Sequence, residues 1–459
     1  MVARVVKTSL SGAVLASLIL AAFCWAAEQS RPEARSPNVL LILADDLGYG
    51  DLGCYGQQRI KTPNLDRLAA EGIRFTQAYS GATVCAPSRC CLMTGKHGGH
   101  ATVRGNKRPE VGLRPDEATL PALLKKAGYR TALSGKWGLG GPSTRSMPNQ
   151  RGFDEFFGYL DQLHAHNSYP EHLWQNEEEV FLTENWFNRR KKFAPDLFTE
   201  KALEFVKRRE SRPFFLYLAY TVPHADNELG AFQGNGIEVP GDEPYSNENW
   251  PQVERNFAAL ITRMDRDIGT LLAALGDGGI DRNTLIVFSS DNGPHREGGH
   301  DPDYFSSRGP LRGIKRDLYE GGIRMPFLTR WTGRIRGGQV SGQVLAFWDI
   351  LPSLCELAGV PRPASLDGIS VLPALLGERR VEHPPLYWEF HERGFSQAVR
   401  FGDWKAVRNN PQKPIELYAL ETDIGEKNDV AAGNAPVAQK AAELMKSLRV
   451  DSPDFPIRK

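Results

Sequence analysis

Net charge is almost missing from this chain: 56 lysines and arginines face 55 aspartates and glutamates, a formal +1 over 459 residues. With no overall field to draw in a polyanion, the total gives no support for a nucleic-acid partner. The basic run Arg189-Arg190-Lys191-Lys192 is local, and such runs are usually solvated faces. A long hydrophobic run is missing too. The most apolar stretch, Ala13 to Phe23, falls short of the ~20 residues a membrane-spanning helix needs. It follows basic Arg4 and Lys7 and precedes small Ala26 and Ala27, the layout of a secretory signal over residues 1–27. Export to the periplasm or outside the cell is expected. Cys24 follows Phe23 rather than a small residue, so no lipid tether and no stable membrane anchor is expected. Cysteine is sparse, with six at 24, 54, 85, 90, 91 and 355 and no C-x₂-C pair, which argues against zinc and against thiol redox chemistry. Their pairing stays open. No internal repeat or low-complexity tract is visible.

What is present is an alternation of buried strands and amphipathic helices. Asn38 to Ala44 is continuously apolar, as in a strand covered on both faces. Further strands are expected at Arg130 to Ser134, Pro213 to Thr221, Thr284 to Ser290 and Met325 to Trp331. Helices are expected at Thr62 to Phe75, with Thr62 as N-cap, and at Thr119 to Ala127, Asp196 to Arg209, Val253 to Leu275 and Trp348 to Ala358. The alternation predicts an α/β fold, a large mostly parallel sheet with helices on both faces. Near Pro384 the texture shifts to short strands at Leu386 to Phe390, Ser396 to Val399, Lys405 to Arg408 and Glu416 to Leu420, then a helix at Val437 to Leu448. A catalytic domain over 36–380 and a smaller antiparallel α+β subdomain over 381–459 are therefore expected. Two long connections, Asp161 to Ala194 and Ala225 to Pro251, show no clear periodicity.

Three clusters carry chemistry. Cys85-Ala86-Pro87-Ser88-Arg89-Cys90-Cys91-Leu92-Met93-Thr94-Gly95 fits C-x-P-S-R-x-x-x-x-T-G. Six fixed positions give a chance match of about 1 in 10⁵ for a chain this long. Asp45-Asp46 and Asp291-Asn292 each end a predicted strand. In a doubly wound sheet those ends share one rim, where ligands bind. Three carboxylates and an amide oxygen there suit a hard divalent cation. Ser134-Gly135-Lys136-Trp137 and His224 each follow a predicted strand, and Lys315 stands ahead of Leu318-Tyr319-Glu320-Gly321-Gly322-Ile323-Arg324.

These motifs resemble those of the formylglycine-dependent (type I) sulfatases, in the alkaline-phosphatase-like superfamily. The resemblance covers about Asn38 to Val430. It implies that Cys85 is oxidised after translation to 3-oxoalanine (formylglycine) by a formylglycine-generating or anaerobic maturation enzyme. It also implies that Asp45, Asp46, Asp291, Asn292 and residue 85 hold one Ca2+, with Mg2+ as the alternative ion. Arg89 would support residue 85 and its metal; Lys136 and Lys315 would contact sulfate. His224 would serve as general acid to the leaving oxygen. The family usually has a histidine where this chain has Gly138, and His164 or His166 on the following loop are the expected substitutes. His100 and Arg104, like His97 and Asn106, are expected near the pocket mouth; His295 and His300 are weaker candidates. The expected substrate is a sulfated small molecule, a saccharide or an aryl sulfate. Two rivals remain: a phosphate mono- or diester hydrolase on the same fold, and a calcium-dependent glycan-binding relative without catalysis, the latter suggested by Gly138.

Overall fold

The computed structural model describes residues 36–457 apart from 109 and 209, so the expected signal over 1–27 lies outside the described residues. A ten-stranded mixed sheet runs in the order β10-β2-β9-β8-β1-β7-β3-β4-β5-β6. Its strands are β1 Asn38–Asp45, β2 Ile73–Tyr79, β3 Arg130–Lys136, β4 Glu155–Tyr159, β5 His172–Gln175, β6 Glu178–Phe181, β7 Phe214–Pro223, β8 Thr284–Ser290, β9 Arg324–Arg330 and β10 Gln339–Ala346. The helices are α1 Pro63–Ala70, α2 Cys85–Thr94, α3 Leu120–Lys126, α4 Ala194–Lys207, α5 Asn227–Gln233, α6 Gln252–Asp277, α7 Glu320–Ile323, α8 Ile350–Ala358, α9 Leu372–Leu375 and α10 Ala435–Ser447.

Strand β1 shows why the sheet is buried on both sides. Val39, Leu41 and Leu43 enter the core on one face, Leu40, Ile42 and Ala44 the core on the other. That is the two-residue period of an extended chain with apolar side chains at every position. A second sheet, β11 Leu386–Phe390, β12 Ser396–Phe401, β13 Trp404–Arg408 and β14 Glu416–Ala419, is antiparallel throughout. Trp388 of β11 is fully buried in the main core, where its indole N–H donates to Ser80 O at 2.9 Å.

The mostly parallel prediction holds for the centre, where β8, β1, β7, β3 and β4 run parallel. At the edge β5 runs antiparallel to β4 and β6, and further in strand β9 is antiparallel to both β8 and β2. Its first residues therefore lie at the carboxyl rim of its neighbours. Apolar runs buried on both faces look alike in either direction, so the sequence did not separate the two cases.

The expected helix over Thr62 to Phe75 is corrected: α1 stops at Ala70 and Ile73 starts β2. Gly72 sits so close to β9 that a Cβ there would lie 2.0 Å from Thr329 O. Thr62 precedes the helix, but its hydroxyl accepts from Gly53 N and donates to Asp66 instead of capping. The long connections are not structureless either: the β5–β6 hairpin and α5 lie within them.

Candidate active site

The carboxyl rim is where the separate motifs meet. β1 ends in Asp45, and Asp46 follows in a left-handed conformation (φ 68°), which aspartate adopts more readily than most residues. Its N–H is held by Asp291 Oδ1 at 3.1 Å. β8 leads directly into Asp291-Asn292, β3 ends in Lys136, and β7 leads into His224. The turn after β2 starts α2 at Cys85, whose position in the first turn faces the positive end of the helix dipole. Because β9 runs backwards, the segment ahead of it brings Lys315 to the same rim.

All of these side chains are buried, so charge pairing decides their state. Lys136 Nζ lies 2.6 Å from Asp45 Oδ2, and Lys315 Nζ 2.8 Å from Asp46 Oδ2. Arg89 places Nη2 2.8 Å from Asp291 Oδ2 and 3.5 Å from Asp45 Oδ2. Burial opposes ionisation, yet Lys136 and Arg89 outweigh it and hold Asp45 well below the usual carboxylate range. Lys315 and His224 do the same, less strongly, for Asp46. Asp291 goes the other way: burial and the Asp45 charge push it up to about 7 despite Arg89. One carboxylate of three is short of positive charge.

The donor set fits a cation. Asn292 Oδ1 is buried with no hydrogen-bond partner, and Asp45, Asp46, Cys85 and His224 each bring a donor atom within 4.8 Å of the others. Oxygen donors predominate, as calcium prefers, and an ion here would satisfy both the orphan amide oxygen and the under-neutralised Asp291.

Cys85 itself is nearly inaccessible, 2 % exposed, with Sγ 3.4 Å from Asp45 Oδ1. Burial and that carboxylate push its thiol well above the ordinary range. A neutral buried thiol is a poor nucleophile. His224 is fixed at both nitrogens: Nδ1 donates to Ala225 O at 2.6 Å and Nε2 lies 3.0 Å from Lys315 Nζ. Burial and Lys315 lower its basicity to about 3. Its Nε2 is therefore an acceptor for the lysine ammonium.

Five residues expected to be catalytic, Cys85, Arg89, Lys136, His224 and Lys315, thus converge with Asp45, Asp46, Asp291 and Asn292. His166 joins the cavity outside them, which is lined by Cys85, His224, Lys315, Arg108 and Gln162 among others. Asn106 lines it as expected, but His164, His97, His100 and Arg104 do not. His164 is packed between Tyr159 and His172, with ring centroids 4.9 and 4.4 Å away. His100 is paired to Asp367 Oδ1 at 2.8 Å and stacked on His97. Arg104 is buried against Glu389 Oε1 at 2.9 Å and Val450 O at 2.8 Å. Both fasten the segment after α2 to the C-terminal part of the chain. His295 and His300 are likewise locked, to Pro223 O and Glu254. In the basic run, Arg190 pairs with Glu238 and lies over Tyr169.

Three neighbours went unnoticed in the sequence. Glu297 bonds Lys315 at 2.9 Å and Arg316 at 2.5 Å. Arg108 is paired with Asp161 by two bonds, 2.6 and 2.8 Å. Gln162 Nε2 donates to Gly138 O at 3.1 Å and occupies the space beside it, so that a Cβ on Gly138 would lie 2.0 Å from Nε2. Only Glu297 carried a signal, five residues beyond Asn292 on the same loop.

A mostly parallel sheet with carboxylates, an amide and two lysines at one rim defines an ester hydrolase of the alkaline-phosphatase-like superfamily. The Sulfatase family model matches residues 37–360, and the model for the N-sulphoglucosamine sulphohydrolase C-terminal region matches 314–451. The chain belongs to the sulfatase family and hydrolyses sulfate esters. It is 33% identical to arylsulfatase A of Homo sapiens, over 91% of this chain and 88% of that protein. It is 35% identical to N-acetylgalactosamine-6-sulfatase of Canis lupus familiaris, over 81% of this chain and 71% of the relative. Among solved structures, Ps i-CgsB in complex with k-i-k-neocarrahexaose superposes with a TM-score of 0.80 at 29% identity, covering 93% of this chain and 96% of that one.

Proposed function

We propose that this sulfatase is an exported enzyme that removes sulfate from a sulfated saccharide, using residue 85 matured from cysteine to formylglycine and one calcium ion. The observation that carries this is the placement of Cys85: buried, at the start of α2, beside two lysines and three carboxylates, yet as a thiol without nucleophilic power. Sγ stands where the matured residue would carry oxygen. Hydrated, that residue supplies a geminal diol, an oxygen nucleophile that no encoded side chain provides. Calcium, held by Asp45, Asp46, Asp291, Asn292 and residue 85, would supply positive charge for the ionised oxygen and the sulfate oxygens.

The chain's own residues do the rest. Lys136 and Lys315 flank the position of Sγ from opposite carboxylates, so their ammonium groups orient the sulfate and offset charge that develops on transfer. Arg89 keeps Asp45 and Asp291 in place, and its Nη1 is anchored on Lys136 O at 3.0 Å. The leaving oxygen takes its proton from the His224–Lys315 pair, in which the Nζ ammonium donates to Nε2 across 3.0 Å. The cavity's mixture of Arg108, Lys107, Glu110 and Gln162 offers hydrogen bonds in many directions, as a polyhydroxylated substrate requires. The complex of Ps i-CgsB with a carrahexaose supports the saccharide class.

We assign residues 36–380 to catalysis and 381–459 to a subdomain that braces them; a maturation enzyme, oxidative or anaerobic, must act on Cys85. Peptide mass spectrometry of active protein, with a panel of defined sulfated saccharides assayed for free sulfate, tests the proposal. An aldehyde at position 85 and release from a saccharide are expected; an unaltered cysteine in fully active protein overturns it.

A further inference from the structure

Once the attacking hydroxyl of residue 85 is ionised, turnover needs two further proton transfers, one to the leaving alcohol and one away from the remaining hydroxyl when sulfate departs. The His224–Lys315 pair accounts for the first. Both nitrogens of His224 are engaged, by Ala225 O and Lys315 Nζ. Gly138 offers only backbone, with Gln162 filling the space beside it.

His166 is the other histidine on the cavity among the described residues. Its ring lies over that of His224, with centroids 4.8 Å apart and planes 18° apart. Nδ1 faces Glu228 Oε2 at 3.0 Å. A carboxylate partner favours the tautomer with the proton on Nδ1, which leaves Nε2 with a free lone pair. Nε2 has no hydrogen-bond partner among the described residues. The side chain is 17 % exposed, enough to exchange a proton with solvent. His164 has none of this geometry.

Resting on the function proposed above, we infer that His166, oriented by Glu228, is the base that frees the enzyme of sulfate. In that step the bond between the residue-85 carbon and the sulfate oxygen breaks, and its electron pair leaves with the sulfate. The proton of the remaining hydroxyl passes to His166 Nε2, and that oxygen's electrons close the carbonyl. Water then adds across the carbonyl to restore the diol, and His166 gives its proton to solvent.

The test uses para-nitrophenyl sulfate and the full chain carrying His166→Ala, with His166→Gln as a second variant and thermal unfolding as a check on folding. General-base loss predicts a kcat about 10²- to 10⁴-fold lower. The first turnover should still release about one phenol per active site, and quenched enzyme should retain sulfate on the residue-85 peptide. Added imidazole should restore turnover in the alanine variant, and Glu228→Gln should produce a smaller loss of the same kind. An unchanged kcat in either folded variant overturns the inference. So does a loss in which the first turnover slows equally and no sulfate is retained. The aldehyde at position 85 and sulfate release by the unsubstituted protein are measured separately, so the underlying function stands or falls independently.

Discussion

Asn292 donates its amide Nδ2 to Asp46 Oδ1 at 2.6 Å while its own Oδ1 stays buried and unpartnered. An amide is held in that pose at a cost of about 1–3 kcal/mol for the unmet acceptor, unless something binds there. Asn292→Leu should weaken calcium binding by at least about tenfold, the equivalent of 1.4 kcal/mol. Titration calorimetry on purified protein checks this; unchanged affinity would show that the amide oxygen is not a ligand. Chelation of the unsubstituted protein should lower its Tm, because calcium at about 100 times Kd adds about 2.7 kcal/mol to the folded state.

Substitution at His224 separates proton donation from sulfate binding. His224→Ala should slow sulfates of weakly acidic alcohols by about 10²- to 10⁴-fold. Aryl sulfates with acidic phenols, which leave without help, should lose far less. A plot of kcat/KM against leaving-group acidity would steepen. A uniform loss across the series would remove His224 and Lys315 from proton delivery.

Lys405 of β13 reaches across to α7, the short helix that leads into β9. Its Nζ sits 3.0 Å from Glu320 Oε1 and 2.9 Å from Glu426 Oε1, all three side chains at 0 % exposure. The contacts are ionic, without hydrogen-bond alignment. Lys405→Met strands two carboxylates, and removing one partner of a buried ion pair typically costs about 3–5 kcal/mol. Arg324 and Tyr79 still satisfy Glu320, so the burden falls on Glu426, which burial already pushes up to about 7. The loss of Tm should therefore be large at alkaline pH and smaller in mild acid, where Glu426 is neutral. Equal losses at both would refute the assignment.

His383 supplies a pH-dependent brace. Nε2 faces Asp349 Oδ2 at 2.8 Å and Nδ1 faces Pro384 O at 2.7 Å, so both nitrogens meet acceptors, as in an imidazolium. Burial works against that charge, but Asp349 outweighs it and raises the histidine above its ordinary value. A raised folded-state pKa means stability that is full below the unfolded value of about 6.5 and is lost as pH rises through the folded value. Tm differences between the parent and His383→Gln, taken from about pH 6 upward, should shrink with increasing pH. A gap that widens with pH would contradict this.

Much of the site was legible because its residues sit at strand ends, and β1, β3, β7 and β8 were visible as apolar runs. Strand ends in a parallel sheet fall on one rim whatever their order. Lys315 was found by motif, and the reason it reaches the rim, the reversed β9, was not. Direction is set by long-range pairing, which local patterning does not encode. His164 and His166 looked equivalent in sequence, two residues apart on one loop. A short helical turn, His164–His166, packs one ring between Tyr159 and His172 and the other over His224. Gln162, filling the space beside Gly138, is a compensation between two loops that no spacing rule reveals.

Trp388 and Lys405 give the chain a long period of incompleteness while it is being made. The ribosome emits Cys85 early, yet the indole that seals the core near Tyr79 and the cation that settles Glu320 arrive only with the C-terminal sheet. Before that sheet forms, the segment leading into α2 lacks the Trp388 contact with Ser80, and the cavity beside Cys85 lacks Glu392 from its lining. In the folded chain Cys85 is 2 % exposed on the lining of the cavity, so a macromolecular reagent should reach it less readily there than in a chain whose C-terminal sheet has not yet formed.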